Sequence, residues 1–344
     1  MKEKEINLTQ MQPTETQVPK IECASPKDFK LLRTLEGDYF PVGSVSWSPD
    51  GKYLASGSFD EDIAACFPSD RDFEQINEDG DNAVSISIWD TNSGEEIKTL
   101  EEYSGIVFSV SWSPDGKYLA SDSCYKNVII WDINSEEKFK LLKGHSYQVN
   151  SVSWSPDGNY LASISWDSTI IIWDANSGEI LKTLEHSFLD VLSVSWSPDG
   201  KYLVSGSADD TIIIWDAKSG EKLKTLEGHS DSVLSVSWSP DGKYLVSGSG
   251  DGTIIIWDAK SGEKLKTLEG HSGIVNSVSW SPDGKYLVSG SGDDTIIIWD
   301  AKSGEKLKTL EGDSDSVISV SWSPDGQYVA SGSWDGTVKI WGVE

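Results

Sequence analysis

Basic residues are scarce in this chain: Lys and Arg number 28 against 56 Asp and Glu, leaving a formal net charge of −28. Phosphate backbones and anionic lipid surfaces are held chiefly by Lys and Arg, and here these occur scattered, with no run of four. Nucleic acid and membrane are therefore not expected as partners. Cysteine is scarce too. Cys23, Cys66 and Cys124 show no metal-ligand spacing, and an odd number argues against a disulfide framework. No stretch approaches the ~20 apolar residues of a membrane span, and the N-terminal MKEKEINLTQMQPTETQVPK lacks the apolar core of a signal peptide. These absences point to a soluble cytoplasmic protein, in which the sequon at Asn7 has no role.

Methionine appears only 2 times but tryptophan 16 times, a balance that a repeated Trp-bearing motif explains. The octet SVSWSPDG or a close match places Trp at 47, 112, 154, 196, 238, 280 and 322, at intervals of 42 residues after the first. A second Trp follows each, at 89, 131, 173, 215, 257, 299 and 341, and in six of the seven copies the next residue is Asp. Each copy reads as four strands. VLSVSWS alternates apolar and small polar residues, Ser-Pro-Asp-Gly turns the chain, KYLVSGS returns, and TIIIWD is β-branched and apolar on both faces. Ala-Lys-Ser-Gly then turns into KLKTLEG, polar enough for an outer strand.

Four-stranded units that bury both faces, repeated radially, make a propeller. With its Trp-Asp pairs, the Gly-His pairs at 144, 228 and 270 and this period, the sequence over residues 30 to 344 resembles the WD-repeat (WD40) family. The expected fold is all-β, a seven-bladed propeller of four-stranded antiparallel blades. After TVKIWGVE the seventh copy has no outer strand of its own, whereas KLLRTLE at 30 to 36 matches the outer-strand pattern. As in the family it resembles, that N-terminal strand is expected to complete blade seven and close the ring. Residues 1–28 are polar and aperiodic and are expected as a disordered tail before a propeller spanning 29–344. Residues 61–83 are expected as an insertion between the second and third strands of blade one.

Ser, His and Asp recur together, as in His145, Ser163 and Asp167, His229, Ser247 and Asp251, or His271, Ser289 and Asp293. An enzyme needs one such triad rather than three, and no nucleophile elbow is present. The family resemblance implies instead structural networks in which Trp173, Trp257 and Trp299 donate through Ser and His to Asp. Asp38 and Asp313 replace the His in blades one and seven, Tyr103 and Tyr125 take the His and Asp places in blade two, and His186 is displaced by one in blade four. Looser upper loops are expected in those four blades. The insertion carries Asp70, Asp72, Glu74, Glu78, Asp79 and Asp81, but Gln75 occupies the place of the calcium loop's glycine. No metal, cofactor or catalytic residue is assigned.

Because the copies are nearly identical, the columns that differ mark where sequence diverged: the loops entering each first strand, and the residue before the Asp that follows each second strand. They supply Phe40, Phe59, Phe108, Tyr125, Tyr147, Trp166, Phe188, Leu189 and Trp334, whereas blades five and six offer only small or polar residues. In the family both loops open on one rim, and aromatic clusters of this kind mark interaction sites. The expectation is a monomeric, non-catalytic scaffold presenting this face to protein or peptide partners. The alternatives are a bare structural repeat, and a small-ligand-binding or catalytic propeller using the central channel.

Overall fold

A computed structural model describes residues 21–37, 40–59, 84–102, 107–123, 126–186, 190–311 and 313–344. Among them are 28 strands, numbered in chain order, arranged as seven four-stranded antiparallel sheets. In blade five the chain passes through β18 (Val233–Trp238), β19 (Tyr244–Ser249), β20 (Ile254–Asp258) and β21 (Lys264–Leu268), from the channel outwards. The apolar run Ile254–Trp257 is wholly buried, whereas Leu268 is the buried residue of β21. The first turn is knitted by side chains. Ser239 Oγ donates to Asp241 Oδ1 at 2.7 Å and accepts the N–H of Tyr244 at 2.9 Å. Gly242 takes the left-handed conformation, φ 69°, that a side chain would strain.

One irregularity recurs in the first strands. The β18–β19 register passes from Val233↔Ser249 to Ser235↔Gly248, leaving Leu234 as a bulge. The same shift isolates Gly43, Asn150, Leu192, Asn276 and Ile318 in five other blades. A bulged residue is released from the alternation that buries its neighbours, and each of these six is only partly buried.

The ring closes as expected. Strand β1 (Lys30–Glu36) runs antiparallel to β28 (Thr337–Gly342), from Lys30↔Gly342 to Glu36↔Thr337, and supplies the outer strand of the sheet containing β26 (Val317–Trp322) and β27 (Tyr328–Ser333). The start of the folded unit differs from expectation. Residues 21–28, expected in the tail, are held against blade seven: the main-chain N–H of Ala24 donates to Gly326 O at 3.0 Å, and Gln327 Nε2 donates to Glu22 O at 3.0 Å. Phe29 is buried with its ring 5.6 Å from that of Trp322. The 3-10 turn Pro26–Asp28 sits where other blades have the turn between third and fourth strands: Lys308 Nζ donates to Lys27 O much as Lys224 Nζ donates to Ser261 O in blade five. Sequence polarity hid this, because the segment is held mostly through its main chain and one aromatic ring. The blade-one insertion lies outside the described residues, between β3 (Tyr53–Ser58) and β4 (Val84–Asp90).

Replacing Phe29 with Ala removes a fully buried aromatic and lowers unfolding free energy by ~3 kcal/mol. Deleting residues 1–36 depresses the melting temperature far more than deleting 1–20, and equal melting curves would show that β1 is dispensable for closure.

Candidate functional site

Strand direction places the loops entering each first strand, and those joining second to third strands, on one face, here called upper. Beneath it every blade contains the same bond. The indole N–H of the third-strand Trp donates to a second-strand Ser Oγ at 2.8–3.0 Å, from Trp89 and Ser56 in blade one to Trp341 and Ser331 in blade seven. In three blades the chain continues upwards. His145, His229 and His271 place Nε2 at 2.7–2.8 Å from Ser163, Ser247 and Ser289, and Nδ1 at 3.0–3.1 Å from Asp167, Asp251 and Asp293. The bonding pattern fits a neutral imidazole that receives the Ser O–H and donates Nδ1–H to the carboxylate.

Burial lowers the affinity of His229 and His271 for a proton. Burial alone would raise Asp251, but the N–H of Ser230, the hydroxyl and N–H of Thr253, and His229 outweigh it and hold the carboxyl at about 2. Asp167 is held low in the same way, by His145, Thr169 and Ser146. Each Asp also accepts a main-chain N–H from the neighbouring loop, at Ser146, Ser230 and Ser272, so it ties two upper loops together. The geometry has the connectivity of a hydrolytic triad. Its three serine residues, however, are fully enclosed and already accept an indole N–H, so no substrate atom reaches them from outside.

Blade seven departs from the loose upper loops expected of it, while most of blade two's upper loops, residues 103–106 and 124–125, lie outside the described residues. In blade seven Lys339, in a strand position otherwise held by Ile in five blades, places Nζ 2.5 Å from Asp313, 3.3 Å from Asp335 and 2.7 Å from Thr337 Oγ1. Lys339 is 4% exposed, so a buried ammonium bridges the two carboxylates where a His stands elsewhere. The reading TVKIW instead of TIIIW was the available signal for this group. In blade two Asp122 occupies the place of a glycine in five blades and is fully buried. Its carboxylate accepts the N–H groups of Ser109 at 2.8 Å and Phe108 at 3.2 Å, substituting for main-chain pairing in a first strand shortened to Val110–Trp112. In blade four His186 lies 5.9 Å, ring to ring, from Trp215, and burial pushes it down to about 4. Asp38, Tyr103 and Tyr125 lie outside the described residues.

The upper-face aromatics form a layered cluster. Phe59 is buried, with ring centroids 5.3 Å from Phe108 and 5.2 Å from Trp334, so it supports the face from beneath rather than presenting itself. Trp334 is 40% exposed, and Tyr147 is 55% exposed with Lys126 Nζ 5.7 Å from its ring centre. Phe40, Phe108 and Trp166 are partly buried. Phe188 and Leu189 lie outside the described residues. Blade six is not limited to small or polar groups, as Ile274 is 46% exposed beside Gly292. The partly exposed bulge residues Leu192, Leu234 and Ile318 add to the inner rim. Their column varies between blades, which was the signal for them, but only the bulge shows why. No group of three or more His, Cys, Asp or Glu poised for a metal exists among the described residues, and no helix among them is long and apolar enough to cross a membrane.

Seven such blades with a Trp-Ser bond in each define a Trp-Asp repeat propeller. The model for the WD domain, G-beta repeat, matches residues 29–64, 262–300 and 304–342, and that for the WDR19 first beta-propeller matches 108–269. The chain belongs to the WD-repeat β-propeller family. It is 36% identical over 101 residues to Protein HIRA of Dictyostelium discoideum, covering 29% of this chain and 8% of that protein. It is 34% identical over 113 residues to the Probable cytosolic iron-sulfur protein assembly protein 1 of Cryptococcus neoformans, 29% of this chain and 26% of that one. It is 36% identical over 91 residues to Ribosome assembly protein 4 of Chaetomium thermophilum, 26% and 13% respectively. The matches thus span about a quarter or less of these relatives.

Burial pushes Asp122 up to about 7 from an ordinary 3.8, against the two N–H groups that favour its charge. The folded chain therefore binds this proton more tightly than the unfolded one, and stability from this group falls as pH rises from ~4 to ~7. Asp122→Asn removes the effect, so the variant gains on wild type between pH 5 and pH 8 in urea unfolding. A difference between them that does not change with pH would rule out the buried charge.

Proposed function

We propose that the protein is a non-catalytic interaction scaffold whose upper face docks a protein or peptide partner on the arc of Trp334, Phe108, Phe40, Tyr147 and Trp166. One observation carries this reading. Trp334 is held edge-on by the buried Phe59 yet keeps 40% of its surface in water, a large rigid apolar group that costs little entropy to use as an anchor. Trp166 occupies the same position four repeats earlier in blade three. The remaining 14 tryptophans belong to the two repeated columns that build the blades, so the only Trp outside the framework lie on this face. The reading draws further support from the relatives, two of which are named for assembly.

Partner capture from a native lysate tests it, using Trp334→Ala and Trp166→Ala at matched melting temperature. Each should weaken retention of a specific partner by ~2 kcal/mol. A partner retained equally by both variants and the wild type places the site elsewhere, and no retained protein favours a purely structural repeat. Phe59→Ala is unsuitable, as emptying that buried site costs ~3 kcal/mol of stability.

A further inference from the structure

The face opposite the aromatic arc is built from the Ser-Pro-Asp-Gly turns and the turns between third and fourth strands, and these can frame a groove at a junction between blades. Between blades six and seven the chain's own residues 22–25 lie in it. The N–H of Ala24 donates to Gly326 O, the side-chain amide of Gln327 donates to Glu22 O, and Cys23 packs against Gly326 beside Asp283. The ligand is thus read through its main chain, with small side chains against the turn.

The repeat supplies the same seat again. Four 42-residue repeats earlier stand Ser113 for Ser281, Asp115 for Asp283, Tyr118 for Tyr286, Trp154 for Trp322, Gly158 for Gly326 and Asn159 for Gln327. These positions line a cavity of about 380 Å³ between blades two and three. Two details single this junction out. In the other five blades the residue after the turn glycine is Lys, each paired at 3.1 Å with the Asp of its own turn, as Lys117 is with Asp115. Only Asn159 and Gln327 offer an amide; Asn159 Nδ2 donates one N–H to Asp157 Oδ2 at 2.7 Å, and its second N–H can donate to a main-chain carbonyl. In addition, Tyr118 packs on Phe139 with centroids 4.9 Å apart, whereas in five other blades the equivalent Tyr stacks on the next blade's Trp, as Tyr286 does on Trp322. Phe139, 48% exposed, gives the groove an apolar outer wall. A cavity of about 390 Å³ also lies between blades seven and one, but there the corresponding residue is Lys52, paired with Asp50, and no amide is offered.

We propose that the groove between blades two and three is a second docking site, which takes an extended segment from a partner protein, with small side chains against the turn, and holds it through its main chain as residues 22–25 are held between blades six and seven. The partner's main-chain N–H pairs with Gly158 O, the carbonyl of the residue two positions before it with the Asn159 amide, and an apolar side chain rests on Phe139. This site is separate from the upper face and stands whether or not the arc there binds anything.

The probe is a fluorescently labelled synthetic peptide with the sequence of residues 21–26, titrated into the full chain under reducing conditions up to ~1 mM and followed by anisotropy. One saturable site is expected. Asn159→Lys, which installs the residue of five other blades and so preserves the fold, should weaken it at least tenfold, while Gln327→Lys leaves it unchanged. A peptide with Pro at the Ala24 position, lacking the N–H, should lose binding on the wild-type chain. Absence of saturable binding overturns the proposal. So does weakening by Gln327→Lys to the same or a greater degree, because the peptide is then exchanging with the chain's own segment.

Discussion

A blade of this protein has no face that tolerates water. In blade five, Ile255 and Trp257 pack with Val204, Ile212 and Ile214 of blade four, while Ile254 and Ile256 pack with Ile297 and Trp299 of blade six. A sheet apolar on both sides must be covered on both, and a row of such sheets is satisfied throughout only as a closed ring. At the closing junction Val338 and Ile340 meet Val42, Trp47 and Trp89. Fully burying one such side chain stabilises by roughly 1.5–3 kcal/mol, so an open junction would forgo an amount comparable to the net stability of a domain. This is why β1, the strand most distant in sequence, completes the last blade, and why Phe29 continues the core beyond it.

The buried polar residues of this apolar ring are mostly serines, and burial favours giving such groups a partner. The Trp-Ser bond meets that need identically in seven blades. Above it the solutions diverge: a His-Asp pair in blades three, five and six, a lysine between two aspartates in blade seven, and a buried carboxyl accepting main-chain N–H groups in blade two. All join an upper loop to the sheet beneath it. Since the framework does not depend on the residue just outside these networks, that residue is free to be glycine in blade five and tryptophan in blades three and seven.

The two faces therefore differ in kind. On the lower face the first turns have a geometry fixed by Ser, Asp and a left-handed glycine, so variation within those turns is limited to the residue following the glycine. The upper face carries bulges and loops whose side chains are not needed for pairing. Trp334, Tyr147 and Ile274 keep a large apolar surface in water, in a chain whose other apolar groups largely build the core or the outer strands.

The sequence by itself determined the number of blades, the four strands of each, the closing strand and the residues of the three His networks, because the 42-residue period repeats every local signal and period-2 patterning assigns every face. It also located the columns of divergence. Tertiary structure decided what those columns do. Phe59 and Trp334 read alike in sequence, yet one is buried and the other exposed, since which ring lies beneath depends on how blades seven, one and two meet. The pairing of Lys339 with Asp313 and Asp335, the burial of Asp122, and the seating of residues 21–29 all arise between segments far apart in the chain or held through main-chain atoms. Such contacts leave no periodicity for a linear reading to detect.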